Sequence, residues 1–211
     1  ATLQSIRTAV LSGDMGHELI RPLGSVLQRF PETGPTLANL VEACRCDTAS
    51  LEIWNEHDLI EYAHGVAGNV GLVMYPILGG VAPVGRSYAA DLGIAMQCTN
   101  IARDILDDLR RGRVYIPQEW LRGLDPRPLL HGDTQTEVVV VEAVRRVLSL
   151  ADARYARALR GLEYLAPHNR FAIQVAARCY AAIGERVVIN QSLSRRRAVV
   201  PWYSKVVLAC Q

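Results

Sequence analysis

The sequence predicts an all-α protein, a helical bundle forming a single domain over residues 1–211. Three observations predict it. Apolar residues recur at helical steps along most of the chain, and no strand pattern is found. Gly and Pro fall mainly between the periodic segments, where turns are wanted. The 211 residues, half of them hydrophobic, suffice for one sizeable core.

Composition narrows the function. The chain is too hydrophobic to be disordered. A net charge of +2 is too small to argue for a nucleic-acid partner. The five cysteines are an odd number without a CxxC pair, which points to a reducing compartment and a cytoplasmic protein. No signal-peptide pattern opens the chain. Gly65 to Gly85 carries no charge, so a membrane span must be weighed. Asn69, Pro76, Pro83 and several glycines favour a buried helix ending near Leu78 instead.

In chain order, residues 1–13 predict a short helix closed by Gly13. Residues 16–30 follow at helical spacing, with Pro22 either kinking that helix or marking its start. Pro31 to Pro35 form a loop, and Thr36 caps a helix over 37–46. Residues 47–54 connect. Asn55 caps a long helix to about Leu78, with Glu56 and Asp58 in its first turn. Tyr62, Val66, Asn69 and Val73 share one stripe on it. Glu61 and His64 form a single ExxH pair, where a di-iron bundle needs two pairs and two further glutamates. A Gly-Pro turn at 79–85 leads to the central helix, 86–112, ended by Gly112. After a loop at 118–132, Asp133 or Thr134 caps a mostly buried helix over 136–165. Pro167 opens another to about Gln191. Arg195, Arg196 and Arg197 read as a solvated loop, and Pro201 starts a short last helix carrying Lys205.

The central helix carries the most informative residues. Gln97, Asn100, Asp104 and Asp108 stand on one stripe, at steps of three, four and four. Ala90 and Gly93 continue it above and Arg111 below. Ile94, Cys98, Ile101, Ile105 and Leu109 form the neighbouring, buried face. Amide and carboxylate oxygens in line suit Mg²⁺, which is usually shared between a few carboxylates and substrate phosphates. The competing reading is a solvated face whose aspartates pair with nearby arginines.

These residues resemble the squalene/phytoene synthase family. Q-x-x-N-I-x-R-D-x-x-x-D spans Gln97 to Asp108, and G-R-x-Y-x-P spans Gly112 to Pro117. Y-x-x-x-V-A-G-x-V-G spans Tyr62 to Gly71, and a late segment with Leu162, Leu165, Arg170, Ala172, Ile173 and Tyr180 extends the match. The wording around Asp104 and Tyr115 leans toward bacterial phytoene synthases. The resemblance implies an isoprenoid-synthase-like bundle around a central cavity. It implies Mg²⁺, with Mn²⁺ as the alternative ion, and two prenyl diphosphates joined head to head through a cyclopropylcarbinyl diphosphate. Two geranylgeranyl diphosphates would give phytoene, in carotenoid biosynthesis. Two farnesyl diphosphates would give squalene, dehydrosqualene or presqualene diphosphate.

Carried over by position, Asn100, Asp104 and Asp108 are the metal candidates. Tyr62, Arg103 and Tyr180 are the catalytic candidates. Gln97, Arg103, Arg113, Tyr180, Val66 and Gly68 are the substrate-binding candidates. Small residues such as Gly68 and Gly71 would make room for prenyl tails, and lipophilic products imply peripheral membrane contact. One departure is large. The family has two facing aspartate-rich motifs, and residues 1–60 hold no D-x-x-x-D, since Asp14, Asp47 and Asp58 stand alone. A fragment lacking the first helices, a sequence with segments missing, a one-motif relative and a non-catalytic helical scaffold all stay open on that ground. Oligomeric state and tail length are not written in these motifs.

Overall fold

The computed structural model describes residues 2–14, 16–49, 51–189, 192–193 and 198–201. The arginine run at 195–197 and the short last helix expected to carry Lys205 lie outside the described residues.

Among the described residues the fold has eight α-helices. Helix α1 (Leu3–Ser12) starts where the Ser5 amide donates to Thr2 Oγ1 at 3.2 Å, and stops at Gly13, whose φ of 69° is left-handed. Residues 16–30 do not form one helix. His17 to Ile20 turn, a single 3₁₀ turn (Arg21–Leu23) follows, and α2 (Gly24–Arg29) is short. Pro22 sits at the first turn, where its missing N–H costs nothing, so it marks a start. Helix α3 (Thr33–Asp47) begins three residues before the expected cap and accommodates Pro35 in its first turn. Helices α1 and α3 share a small core of Ala9, Val10, Ile20, Leu27 and Ala38.

The helix opened by Asn55 has three parts. In α4 (Glu56–Ala63) the Asp58 amide donates to Asn55 Oδ1 at 3.0 Å, and the Asp58 carboxylate accepts from the Asn55 amide at 3.3 Å. A π-helical turn (His64–Gly68) then widens the coil before α5 (Asn69–Ile77). The Asn69 amide reaches back five residues to the His64 carbonyl. The Gly65 carbonyl released by that widening accepts from the buried Asn69 side chain at 2.9 Å. This turn breaks the straight stripe expected from Tyr62 to Val73.

Helix α6 (Gly85–Arg110) is the axis of the molecule and packs most extensively on α7 (Thr134–Arg160). Its expected inner face is buried: Ile94, Cys98, Ile101, Ile105 and Leu109. Gly71 and Gly93 let α5 and the π turn approach α6 at backbone distance. A Cβ on Gly71 would overlap the Ala89 carbonyl, and one on Gly93 the Ala67 carbonyl. Asp133 caps α7 by accepting from the Thr136 amide at 2.7 Å. The 136–165 helix stops early, at Arg160, and a 3₁₀ turn (Gly161–Tyr164) takes over. Helix α8 (Pro167–Gly184) ends seven residues before Gln191, where Gly184 packs against Leu148. A two-residue antiparallel pairing follows instead, Val188–Ile189 with Ser192–Leu193, and Glu137 Oε1 receives the Leu193 amide at 3.1 Å. No helix among the described residues is long and apolar enough to cross a membrane.

Candidate active site

A cavity of about 350 Å³ runs along α6 between α5, the 3₁₀ turn after α7, and α8. Its walls are apolar: Val70, Met74, Leu92, Met96, Leu162 and Leu165 among others. Val70 (43 % exposed) and Met74 (38 %) leave the α5 wall open to solvent. The two amides gather at one end, where Gln97, Asn100 and Tyr180 line it. At 1.5 Å per residue, the α6 stretch from Asn100 back to Gly85 is ~22 Å long. The opposite end carries Tyr75 and Tyr88.

Below the polar end the α6 stripe continues as expected. Asn100 Oδ1 is buried and has no hydrogen-bond partner among the described residues. Such an orphan is costly unless something supplies a positive charge or a donor. Arg103 lies against Asp104 in a two-bonded pair, Nε to Oδ1 at 2.8 Å and Nη2 to Oδ2 at 2.5 Å. Asp104 first, then the Tyr180 hydroxyl, hold the Arg103 guanidinium protonated. Asp108 is half-buried. Burial, reinforced by the Asp104 charge, pushes its carboxyl up to about 6 against the pull of Arg111 and Arg113. The Asp104 and Asp108 carboxylates repel each other along the stripe below the orphaned Asn100 oxygen, Asp104 being paired with Arg103, and the three together are hard-oxygen donors. That chemistry fits Mg²⁺, although no group of three or more His, Cys, Asp or Glu side chains gathers among the described residues.

A second cluster lies beyond the stripe. Arg113 Nη1 donates to Asp47 Oδ2 at 3.1 Å and to the Tyr115 hydroxyl at 3.0 Å. Tyr115 in turn donates to Asp47 Oδ1 at 2.9 Å. Tyr62 stacks on Tyr115 with centroids 4.8 Å apart. Burial, and then the bond to Tyr115, raise the Tyr62 hydroxyl far above its ordinary range, so it stays a neutral donor. Asp47, which stands alone in the sequence, therefore ties the end of α3 to the segment after α6.

The cavity thus brings together Gln97, Asn100 and Tyr180, with Arg103 and Asp104 joined to them through Tyr180. Tyr62 and Arg113 belong to the Asp47 cluster instead. Val66 and Gly68 do not line the cavity, and a Cβ on Gly68 would meet the His64 ring at 2.9 Å. Gly71 does line it, and its small size also serves the contact with α6.

Sequence reasoning missed Asp91. It is 1 % exposed on α6 and accepts from Arg154 Nη1 at 2.5 Å and from Arg157 Nη1. An aspartate in register with Ile94, Cys98 and Ile101 was the available signal, because a lone charge on an apolar face requires a partner. Tyr88 was missed too, since nothing in its spacing separates a cavity wall from core.

The fold and site define an all-α bundle with an apolar trough that ends at Gln97, Asn100 and Tyr180. The chain belongs to the squalene/phytoene synthase family, whose model matches residues 1–204. It is 34 % identical over 196 residues to a 15-cis-phytoene synthase of Paracoccus sp., covering 89 % of this chain and 62 % of that one. A phytoene synthase of Pseudescherichia vulneris is 31 % identical, covering 88 % and 61 %. The chain therefore spans less than two thirds of the length of these relatives. A solved dehydrosqualene synthase with bound ligand superposes with a TM-score of 0.84 at 27 % identity, covering 99 % of this chain and 75 % of that one.

Proposed function

We propose that this chain serves the head-to-head condensation of two prenyl diphosphates, with Mg²⁺, and that its preferred pair is two geranylgeranyl diphosphates giving phytoene. The observation that carries the reading is the two-part cavity. An apolar trough for a long tail meets the orphaned Asn100 oxygen at one end, and the Asp104 and Asp108 carboxylates follow on the same α6 stripe below it. The phytoene synthases among the relatives support the longer substrate. The dehydrosqualene synthase supports a second reading, two farnesyl diphosphates.

In this reading Asn100, Asp104 and Asp108 would hold Mg²⁺, which supplies the charge neutralisation that makes diphosphate a leaving group. Arg103 adds a fixed positive charge beside them, kept in place by Asp104 and Tyr180. The diphosphate end sits at Gln97, Asn100 and Tyr180, and the tail runs toward Tyr88. The apolar walls keep water from the allylic cation left when the C–O bond breaks. The Tyr180 ring, at the junction of the two parts, faces the reacting carbons and stabilises that cation by its quadrupole.

The test is incubation of the chain with Mg²⁺ and either diphosphate, reading diphosphate release and product mass. A C40 hydrocarbon from the longer substrate is expected. A C30 product moves the assignment to the second reading. No turnover, together with no Mg²⁺-dependent binding of geranylgeranyl thiodiphosphate, refutes both and leaves a non-catalytic helical relative.

A further inference from the structure

We propose that Tyr88 sets the longest prenyl tail the cavity accepts, and that Arg157 and Gly161 hold its ring at that station. The inference rests on the function proposed above and names the residue that decides its substrate length. Along α6, Tyr88 stands twelve residues before Asn100, ~18 Å from the polar end. Its ring is held from three directions. It stacks on Tyr164 at 5.8 Å with planes 9° apart. The Arg157 guanidinium lies 5.4 Å from its centroid. The Gly161 backbone presses on its base so closely that a Cβ there would overlap the Tyr88 Cβ.

Arg157 is itself fixed. It pairs with Asp91, which is buried, and donates to Ser87 Oγ at 3.3 Å. The ring therefore has little room to shift toward these three neighbours when a tail arrives. The other walls differ. Leu92, Leu162 and Leu165 are aliphatic, and Met96 is unbranched and adaptable. Tyr75 is also at the far end, but its hydroxyl bonds to the Ala82 carbonyl at 2.8 Å and its ring fills the space over Gly80 and Gly85. Tyr75 thus builds the 79–85 turn, and Tyr88 is the ring whose removal adds depth.

The test uses a series of n-alkyl diphosphates with Mg²⁺, binding read by calorimetry. Affinity should rise about fourfold per added CH₂ until the tail reaches Tyr88, then level off or fall. Tyr88→Ala should move that break to tails several carbons longer, and Tyr88→Phe should leave it in place. Should Tyr88→Ala fail to fold by circular dichroism, Tyr88→Leu gives the same reading with less volume removed. A break that stays at the wild-type length in the shortened variants overturns the inference while the proposed function stands. If n-alkanols bind as tightly as the diphosphates, the proposed function falls and takes this inference with it.

Discussion

Asp91 and its two arginines should respond very differently to removal, depending on which side is cut. Asp91 is sealed between α6 and α7, with its side chain 2 % exposed, whereas Arg154 is 29 % and Arg157 43 % exposed. Removing both guanidinium groups, in Arg154→Met with Arg157→Met, strands a carboxylate with no route to water. Breaking a buried pair in that way costs ~3–5 kcal/mol. In Asp91→Asn the amide oxygen still accepts from one guanidinium, and the other swings into solvent on its flexible stem. That loss should be nearer ~1 kcal/mol, one net hydrogen bond. For a chain of this size the two cases correspond to melting shifts of roughly 6–20 °C and 2–4 °C. Urea denaturation followed by far-UV circular dichroism measures both. A cost for Asp91→Asn equal to or above that of the double arginine variant would refute the asymmetry, and with it the claim that burial rather than attraction dominates here.

Other outcomes follow from the site. Asp104→Asn should weaken Mg²⁺-dependent binding of geranylgeranyl thiodiphosphate by about tenfold or more, since a metal ligand loses its charge, while Asp107→Asn changes it little because Asp107 pairs with Arg110 at the surface. Equal losses at both positions would mean the helix phase is wrong. The raised Asp108 carboxyl predicts that metal-free stability is highest below pH 4 as far as this group is concerned, and declines as pH rises toward 6, because the folded state holds the proton more tightly than the unfolded chain. Asp108→Asn should therefore stabilise the metal-free protein at pH 7, by ~1.5 kcal/mol once the full linkage is halved for solvent contact, and give no gain at pH 4; a pH-independent gain would sink this account. Gly93→Ala should cost ~2–3 kcal/mol by driving α5 and α6 apart, and should collapse alkyl diphosphate binding; a neutral melting point would show that the helices have room to move.

Much of the fold was legible because its signals are local. Asn55 and Asp133 cap helices, and Gly13 and Gly112 end them in the left-handed region, all through contacts within a few residues. The stripe from Gln97 to Asp108 was legible for the same reason: one helix sets its spacing. What depends on partners distant in sequence was not. Asp47 finds Arg113 and Tyr115 across some seventy residues of chain, and Asp91 finds Arg154 and Arg157 across a similar gap. The early end of α8 was missed because apolar periodicity runs on past Gly184, and a strand pair of two residues leaves no alternation long enough to read. Val66 and Gly68 were placed near substrate by position in a motif, whereas both fall in an interrupted helix and neither lines the cavity.

That interruption at His64–Gly68 works as a gearbox. One widened turn offsets everything downstream by about one residue, or ~100° around the axis. Upstream, Tyr62 is meshed with Tyr115; downstream, Val70, Gly71 and Met74 are meshed with the cavity. Because the Asn69 side chain locks the offset at Gly65, the two ends are set independently. Deleting a single residue within the turn would restore a uniform helix, and then only one end could stay engaged. The cavity wall and the tyrosine stack would compete for the register that this turn now lets them hold together.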